Sequence, residues 1–146
     1  MDEALLGRIR DGLKRSRLAH VVAAVVFGSR PRGTATPSSD IDLLVVAQEI
    51  RSKPHRRAEE IAGIKRHLPG LALDVLLLTA EEAQSNFRNH NPLFLDIAAE
   101  GIVLVDDQGW LRGLMEEVRE YIKQKGIEKT EHGWRFPVIP GIPTYL

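Results

Sequence analysis

Four short apolar runs divide the chain, and turn residues bound each of them. They cover residues 21–27, 41–46, 71–78 and 102–105. Their lengths and their content of valine and leucine are typical of buried β-strands. Between them, apolar residues recur every three or four positions, which is the spacing of helices that lay one face on a core. The chain is therefore predicted to be an α/β (α+β) protein, with a mixed sheet of about four strands flanked by helices.

Capping residues mark the limits of several predicted helices. Thr79 and Glu82 have the spacing of a capping box, and Asn91 followed by Pro92 predicts a second helix start. Gly126 stands where the last amphipathic pattern stops, and glycine is the residue most often found just past a helix end. These signals place two helices after the third strand and one after the fourth.

The composition changes at about residue 130. The segment EHGWRFPVIPGIPTYL carries three prolines, which exclude a regular helix or a central strand. It also carries aromatic residues, whereas a frayed tail is usually polar. We therefore divide the chain into a domain of residues 1–129 and a Pro/aromatic-rich C-terminal arm of residues 130–146. The arm is predicted to dock on this domain or on a partner, with a disordered tail as the alternative.

Composition restricts the classes of partner. Lysine and arginine together number 20, as do aspartate and glutamate, so the chain lacks the basic character expected of a protein that binds an extended nucleic-acid duplex. The basic cluster in residues 53–66 is either a solvated face or a contact surface for RNA or an acidic partner. The absence of cysteine, the charged N-terminal stretch and the lack of a long apolar run predict a cytoplasmic protein without membrane segments.

A glycine-serine turn follows the first strand, and ten residues separate it from two aspartates at the second. Gly28 has no Cβ, so the turn that it forms with Ser29 lets main-chain N–H groups approach a phosphate. Asp40 and Asp42 are two residues apart, and on a strand both side chains point to the same face. Because adjacent carboxylates repel each other, a divalent cation is the simplest partner that keeps both ionised.

Asp74 is the one charged residue in the apolar run 71–78. An isolated carboxylate is expensive to bury, so Asp74 is expected to have a cationic partner. If the third strand lies beside the second, Asp74 can share a metal with Asp40 and Asp42. Two divalent ions about 3.5–4 Å apart would then hold the attacking and leaving oxygens of a phosphoryl transfer. Taken singly, Asp40 is explained as a turn residue or helix cap, and Asp74 as an edge carboxylate paired with an arginine.

The stretch GSRPRGTATPSSDID, which begins at Gly28, resembles the G-S-x10-D-x-D signature of the minimal nucleotidyltransferases. This family belongs to the DNA polymerase β-like nucleotidyltransferase superfamily, and the resemblance covers residues 21–105. It implies a nucleotidyltransferase fold similar to the polymerase β palm. The signature is specific at the level of the family, and the catalytic pattern is complete. The resemblance says nothing about residues 130–146.

The resemblance implies a role for each motif residue. Asp40 and Asp42 would bind Mg²⁺, with two ions in the site, and Asp74 would complete the metal site and help to deprotonate the attacking hydroxyl. The Gly28-Ser29 turn would contact the triphosphate of ATP or another nucleoside triphosphate. Arg32 matches the second arginine of a GSRxRG pattern and would reach a phosphate.

Family members of this length are similar to the antitoxin half of a two-gene pair. The other half is a helical HEPN ribonuclease, and the transferase moves AMP from ATP to a tyrosine of that toxin. The resemblance therefore implies a protein adenylyltransferase with a HEPN-type toxin as partner. A domain this short has little room for a second lobe, so part of the acceptor site is expected from another chain. Self-association stays open.

Two other functions are compatible with the sequence. A non-catalytic antitoxin would neutralise its partner by occluding it, with residues 130–146 as the gripping segment. A small-molecule nucleotidyltransferase, such as an antibiotic-modifying enzyme, would use the same metal site. Enzymes of that second kind resemble longer chains with a lobe for the acceptor, so the length of this chain disfavours it.

Overall fold

The computed structural model describes residues 1–16, 20–33 and 40–137. Its centre is a four-stranded sheet in the order β3-β2-β1-β4. Strands β1 and β2 are antiparallel, β1 and β4 are antiparallel, and β2 and β3 are parallel. The prediction of a mixed four-stranded sheet is therefore confirmed. The strands are β1 (His20–Phe27), β2 (Ile41–Gln48), β3 (Leu73–Leu78) and β4 (Ile102–Asp106).

The helix limits follow the capping signals in the sequence. Thr79 Oγ1 accepts a hydrogen bond of 3.2 Å from the Glu82 N–H, and Glu82 Oε1 accepts one of 2.8 Å from the Thr79 N–H, which completes the capping box. Asn91 caps the next helix, and Gly126 ends the last one in the left-handed conformation that favours glycine. The helices are α1 (Glu3–Arg15), α2 (Ser29–Arg32), α3 (Ala58–Arg66), α4 (Ala80–Arg88), α5 (Pro92–Glu100) and α6 (Trp110–Lys125).

Helices cover both faces of the sheet. On one face, Leu44 and Val46 of β2 pack in a core with residues of α4, α5 and α6. On the other face, Leu43 and Val45 pack in a core with residues of α1 and α3. The period-two alternation of a strand thus sends neighbouring residues into separate cores, which explains why β2 is apolar at consecutive positions. Asp42 has the same parity as Leu44, so it belongs to the face covered by α4, α5 and α6.

The third strand is shorter and less enclosed than predicted. It begins at Leu73, and among the described residues it pairs on one side only, with β2. Asp74 is exposed to solvent rather than buried in the apolar run. The sequence reasoning failed here because apolar residues on both sides of Asp74 indicate burial of the strand, whereas an edge strand leaves its first residues open.

The basic cluster in residues 53–66 does not lie wholly on the surface. A short 3-10 turn (Pro54–Arg56) precedes the helix, and Arg57 is buried, with its side chain only 1% exposed. The guanidinium donates to the carbonyl oxygens of Arg51, Ser52 and Leu77 and to Glu82 Oε1. The prediction of a solvated face or contact surface is therefore wrong for Arg57, whose buried side chain instead links neighbouring segments by hydrogen bonds.

A small hairpin follows α6. Its strands are β5 (Glu128–Thr130) and β6 (Gly133–Arg135), and Lys129 lies opposite Trp134. Trp134 is buried in the core that contains α5 and α6. The hairpin spans the predicted boundary between residues 129 and 130, and that boundary stays a prediction. Residues 138–146 of the predicted arm lie outside the described residues. No helix in the described part of the chain is long and apolar enough to cross a membrane.

Candidate active site

One row of residues crosses three strands at the end of the sheet. Phe27, the last residue of β1, lies opposite Asp42 of β2 in the antiparallel register. Asp42 is in turn the register partner of Asp74 in the parallel pair of β2 and β3. Paired positions on neighbouring strands place their side chains on the same face of a sheet. The structure therefore brings together two of the three carboxylates that the sequence selected.

Gly28 meets the Asp42 carboxylate where β1 ends. A Cβ on residue 28 would lie 2.1 Å from Asp42 Oδ2, and the φ of +81° is one that L side chains rarely adopt. Glycine is therefore required here both by the space and by the backbone. Ser29 begins α2, so the chain turns from strand to helix within one residue.

The electrostatic environment of Asp42 is dominated by burial and by other acids. Burial, the charge of Asp74 and the charge of Asp40 raise the pKa of Asp42, in that order, and the nearby Arg32 guanidinium opposes them. Asp40 directly precedes β2 and is exposed to solvent. Both of the other predicted carboxylates thus act on Asp42. Asp42 would hold its charge more readily with a cation beside it.

Arg32 connects the glycine-serine turn to α5. Its Nη1 lies 3.5 Å from Glu100 Oε2, with the Arg32 side chain 34% exposed and the Glu100 side chain 26% exposed. Glu100 Oε2 is buried and accepts no hydrogen bond from the described residues. Ion pairing with Arg32 is therefore the contact that compensates this carboxylate oxygen. Arg32 stands between Glu100 and the Asp42 carboxylate, whose pKa it lowers.

These residues line a cavity of about 420 Å³. Four predicted site residues contribute to it: Gly28, Arg32, Asp42 and Asp74. The remaining wall consists of apolar residues and one further acid, namely Phe27, Val75, Leu76, Leu93 and Asp96. The volume suits a nucleotide-sized ligand. The lining combines charged and apolar side chains, which suits a ligand with phosphates and an aromatic ring.

Helix α5 supplies three side chains that the sequence reasoning missed. Leu93, Asp96 and Glu100 recur at helical spacing and so share one face of the helix. Leu93 is 39% exposed, although it is a large apolar residue. Asp96 interrupts an otherwise apolar stretch, LFLDIAA, in the same way that Asp74 interrupts β3. A carboxylate within an apolar helical run needs a partner just as one within an apolar strand does, so the sequence carries a signal for Asp96 as it does for Asp74.

The oxygens at the strand ends are of the kind that Mg²⁺ takes as ligands. Mg²⁺ is commonly held by one or two carboxylates together with substrate phosphates. Asp42 and Asp74 provide the two carboxylates, and a bound cation would relieve the repulsion that raises the pKa of Asp42. Across residues 1–16, 20–33 and 40–137, no group of three acidic or histidine side chains is arranged to hold a metal ion by itself. The site fits a metal whose coordination a nucleotide completes.

Comparison with known proteins gives matches along most of the chain. A sequence model described as the nucleotidyltransferase domain matches residues 6–132. The "Putative protein adenylyltransferase MJ1305" of Methanocaldococcus jannaschii is 27% identical over 131 residues, which cover 85% of this chain and 88% of that protein. The matched region includes both the glycine-serine turn and the strand that carries Asp74.

Two solved structures share the fold. A crystal structure of a toxin–antitoxin complex with AMP-PNP contains a chain that matches with a TM-score of 0.54 at 18% identity, covering 82% of this chain and 87% of that one. A structure of the tri-AMPylated Shewanella oneidensis HEPN toxin in complex with MNT antitoxin matches with a TM-score of 0.50 at 17% identity, covering 85% and 88%. At these identities the likeness concerns the fold.

Proposed function

This chain belongs to the nucleotidyltransferase domain family, and we propose that it transfers AMP from ATP to a tyrosine hydroxyl of a partner HEPN-type toxin, as an antitoxin. The family match confirms the resemblance that the glycine-serine and Asp-x-Asp motifs indicated, and the chain is a nucleotidyltransferase. The observation that carries the finer proposal is the register pairing of Asp42 with Asp74 inside a nucleotide-sized cavity.

Mg²⁺ is the metal that the site would use. Asp42, Asp74 and Asp40 would hold it together with the triphosphate. When bound, Mg²⁺ would offset the negative charge that develops on the transferred phosphoryl group. The protein contributes a fixed pair of carboxylates on neighbouring strands and a glycine that leaves the Asp42 carboxylate room to bind.

The triphosphate would lie between the glycine-serine turn and Arg32. Gly28 lets the backbone come close to a phosphate, and Arg32 supplies the positive charge that lines the cavity. An arginine suits this task because its guanidinium donates two parallel hydrogen bonds to phosphate oxygens. The nucleobase would then contact apolar residues of the lining, such as Leu76 and Leu93.

Asp74 would act on the acceptor. It is exposed and lies on the edge strand, so a hydroxyl group of another protein can reach it from outside the sheet. The hydroxyl oxygen attacks the α-phosphorus of ATP, and its proton passes to the Asp74 carboxylate. The bond from the α-phosphorus to the oxygen that bridges to the β-phosphate breaks, and pyrophosphate leaves with that oxygen. The product is a phosphodiester between AMP and the tyrosine.

The toxin partner is supported by the fold neighbours and by the length of the adenylyltransferase relative. The two solved structures described above come from toxin–antitoxin complexes, one of them with AMP-PNP and one with an AMPylated HEPN toxin. The match also covers 88% of the adenylyltransferase relative, which leaves that relative little length for a separate acceptor lobe. A second protein is the simplest source of the acceptor.

Label transfer tests the proposal. The protein is incubated with α-labelled ATP, Mg²⁺ and the product of the neighbouring gene, and the labelled residue is then identified. We expect label on a tyrosine of the partner, and none when EDTA is present. The variant with Asp40→Asn and Asp42→Asn should lose the transfer, whereas Asp11→Asn, an exposed aspartate on α1, should retain it.

Three outcomes would contradict the proposal. Transfer that persists in the double variant would remove the two aspartates from the metal site. Label on a small molecule but not on the partner would indicate a small-molecule nucleotidyltransferase. Neutralisation of the partner by the double variant, with the same potency as wild type, would indicate an antitoxin that acts by binding alone.

A further inference from the structure

The C-terminal hairpin is bonded to the wall of the catalytic cavity through Asp96. Trp134 donates its Nε1–H to Asp96 Oδ1 at 2.9 Å, and Lys129 Nζ forms an ion pair with the same oxygen. Lys129 also lies 5.4 Å from the centre of the Trp134 ring, within reach of a cation–π contact. Asp96 is on α5 and lines the cavity. Residues that are more than thirty positions apart in sequence thus meet at one carboxylate.

The charges that line the cavity explain why this contact matters for a nucleotide. Three of the lining residues are acidic, namely Asp42, Asp74 and Asp96, and one is basic, Arg32. Asp42 and Asp74 have a use as metal ligands in the proposed reaction. Asp96 has none, and a third carboxylate facing a triphosphate would repel it. Arg32 also pairs with Glu100, so its charge offsets the acidic lining only in part.

We propose that Lys129 neutralises Asp96 so that the cavity accepts a triphosphate, with Trp134 holding the Asp96 carboxylate in place. This rests on the proposed function, since it concerns the same nucleotide. Lys129 is a positioning residue in this scheme, because it acts on the nucleotide through Asp96. Lys129 of β5 and Trp134 of β6 then contribute to the active site. The hairpin after α6 would therefore have a role in nucleotide binding as well as in packing.

Burial of the hairpin alone does not account for the ion pair. Trp134 is buried in the core and would anchor β6 by apolar contact. The Lys129 and Asp96 side chains are 33% and 21% exposed, so the pair is partly buried and solvent ions screen its charges only in part. The charge of Lys129 therefore acts on the cavity that Asp96 lines as well as on the hairpin.

A double-mutant cycle on MgATP binding tests the inference, because a charge effect and a structural effect give different patterns. The dissociation constant for MgATP is measured by calorimetry for wild type, Lys129→Met, Asp96→Asn and the combination of the two. Lys129→Met leaves the Asp96 charge uncompensated and should weaken binding by about three- to tenfold at low salt. Raising the salt to about 0.5 M should shrink the difference, because ions screen it.

The combined variant is the decisive one. It lacks the same ion pair as Lys129→Met but also lacks the negative charge, so MgATP binding should return to within about twofold of wild type. Asp96→Asn keeps an oxygen acceptor for Trp134 and should bind MgATP at least as well as wild type. Arg135→Met breaks an exposed ion pair of the same hairpin, with Glu128, and should leave MgATP binding unchanged.

Two results would overturn the inference. Equal binding of MgATP by Lys129→Met and wild type would show that Asp96 needs no compensation. Weakened binding by Lys129→Met that the combined variant does not recover would show that the ion pair acts on structure alone. If wild type itself binds neither MgATP nor another nucleoside triphosphate, it is the proposed function that fails. A thermal unfolding curve for each variant confirms that the binding data come from folded protein.

Discussion

Gly28 and Asp42 are packed so closely that a methyl group on residue 28 would lie 2.1 Å from Asp42 Oδ2. The contact joins the end of β1 to a carboxylate that would bind the metal in the proposed mechanism. It also shows why a motif that begins with glycine and ends with aspartate forms one unit in space. Only glycine at residue 28 leaves the Asp42 carboxylate in its observed position.

Gly28→Ala should therefore reduce activity and stability together. The added methyl group would displace the Asp42 carboxylate, and alanine is strained at a φ of +81°. We expect AMP transfer to fall by about 100-fold and the free energy of unfolding to fall by about 1–2 kcal/mol. Gly113→Ala is the matched control, since a Cβ there has nothing within 4 Å and the residue lies inside α6. It should stabilise the protein by up to about 1 kcal/mol and leave transfer unchanged. Full activity in Gly28→Ala would contradict this prediction.

Asp74→Asn should separate stability from activity. Burial and, after it, repulsion by the Asp74 charge raise the pKa of Asp42, so in the absence of metal the charge of Asp74 disfavours the charge of Asp42. Removing the Asp74 charge should raise the melting temperature in EDTA by about 1–3 °C while AMP transfer is lost. Thermal unfolding in EDTA and the label-transfer assay measure the two effects, with Asp11→Asn on α1 as the control for removal of an acidic charge. A lower melting temperature in Asp74→Asn would show that its charge is compensated by something other than a metal.

Arg32→Met should weaken the use of ATP. Arg32 is the basic residue in the cavity lining, and loss of its bonds to phosphate should raise KM for ATP by about 10- to 100-fold. Arg112→Met removes an exposed arginine that pairs with Asp106 and should leave KM unchanged. Steady-state kinetics with the partner toxin as acceptor give both values. An unchanged KM with a reduced kcat would instead place Arg32 at the transition state alone.

The sequence was sufficient to predict the sheet and half of the cavity. Buried strands and capped helices carry strong local signals, and the stretch from Gly28 to Asp42 carries the family signature. These features are local in sequence or tied to a motif. The register that places Asp42 beside Asp74 could only be hypothesised, because nothing in either strand specifies its neighbour.

The α5 side of the cavity depends on tertiary contacts between distant segments. Asp96 meets Lys129 and Trp134 across more than thirty residues, and Glu100 meets Arg32 across the fold. Asp96 has a local signal, since it interrupts an apolar stretch, but nothing in that stretch shows which residues are its partners. Arg57 is the opposite case, since its neighbours are basic and exposed while it is buried. The burial and charge environment of Asp96, Glu100 and Arg57 depend on partners far along the chain. A single sequence does not show which residues those partners are.

Arg57 and Glu82 form the internal ion pair on which the α3–α4 side of the fold depends. Arg57 Nη1 donates to Glu82 Oε1 at 2.7 Å, and the same carboxylate completes the capping box of α4. Glu82→Gln keeps the shape and the cap but leaves the buried guanidinium without a counter-charge. We expect the free energy of unfolding at pH 7 to fall by about 2 kcal/mol. Glu81→Gln, an exposed neighbour on the same helix, should change it by less than about 0.5 kcal/mol.

The pH dependence of this loss identifies its cause. Burial raises the pKa of Glu82, but hydrogen bonds from Arg57 and Thr79 outweigh it, so the pKa lies below the ordinary value of 4.5. A carboxyl with a lowered folded-state pKa contributes stability above its unfolded pKa and loses that contribution as the pH falls through the folded value. The difference in the free energy of unfolding between wild type and Glu82→Gln should thus be full at pH 6–7 and shrink from about pH 4.5 downward. It should largely vanish once Glu82 is protonated in both the folded and the unfolded protein. Urea unfolding at several pH values measures it. A difference that stays constant to pH 3 would mean that the variant acts through packing, because the other carboxyl groups that titrate over that range are common to both proteins and only Glu82 distinguishes them.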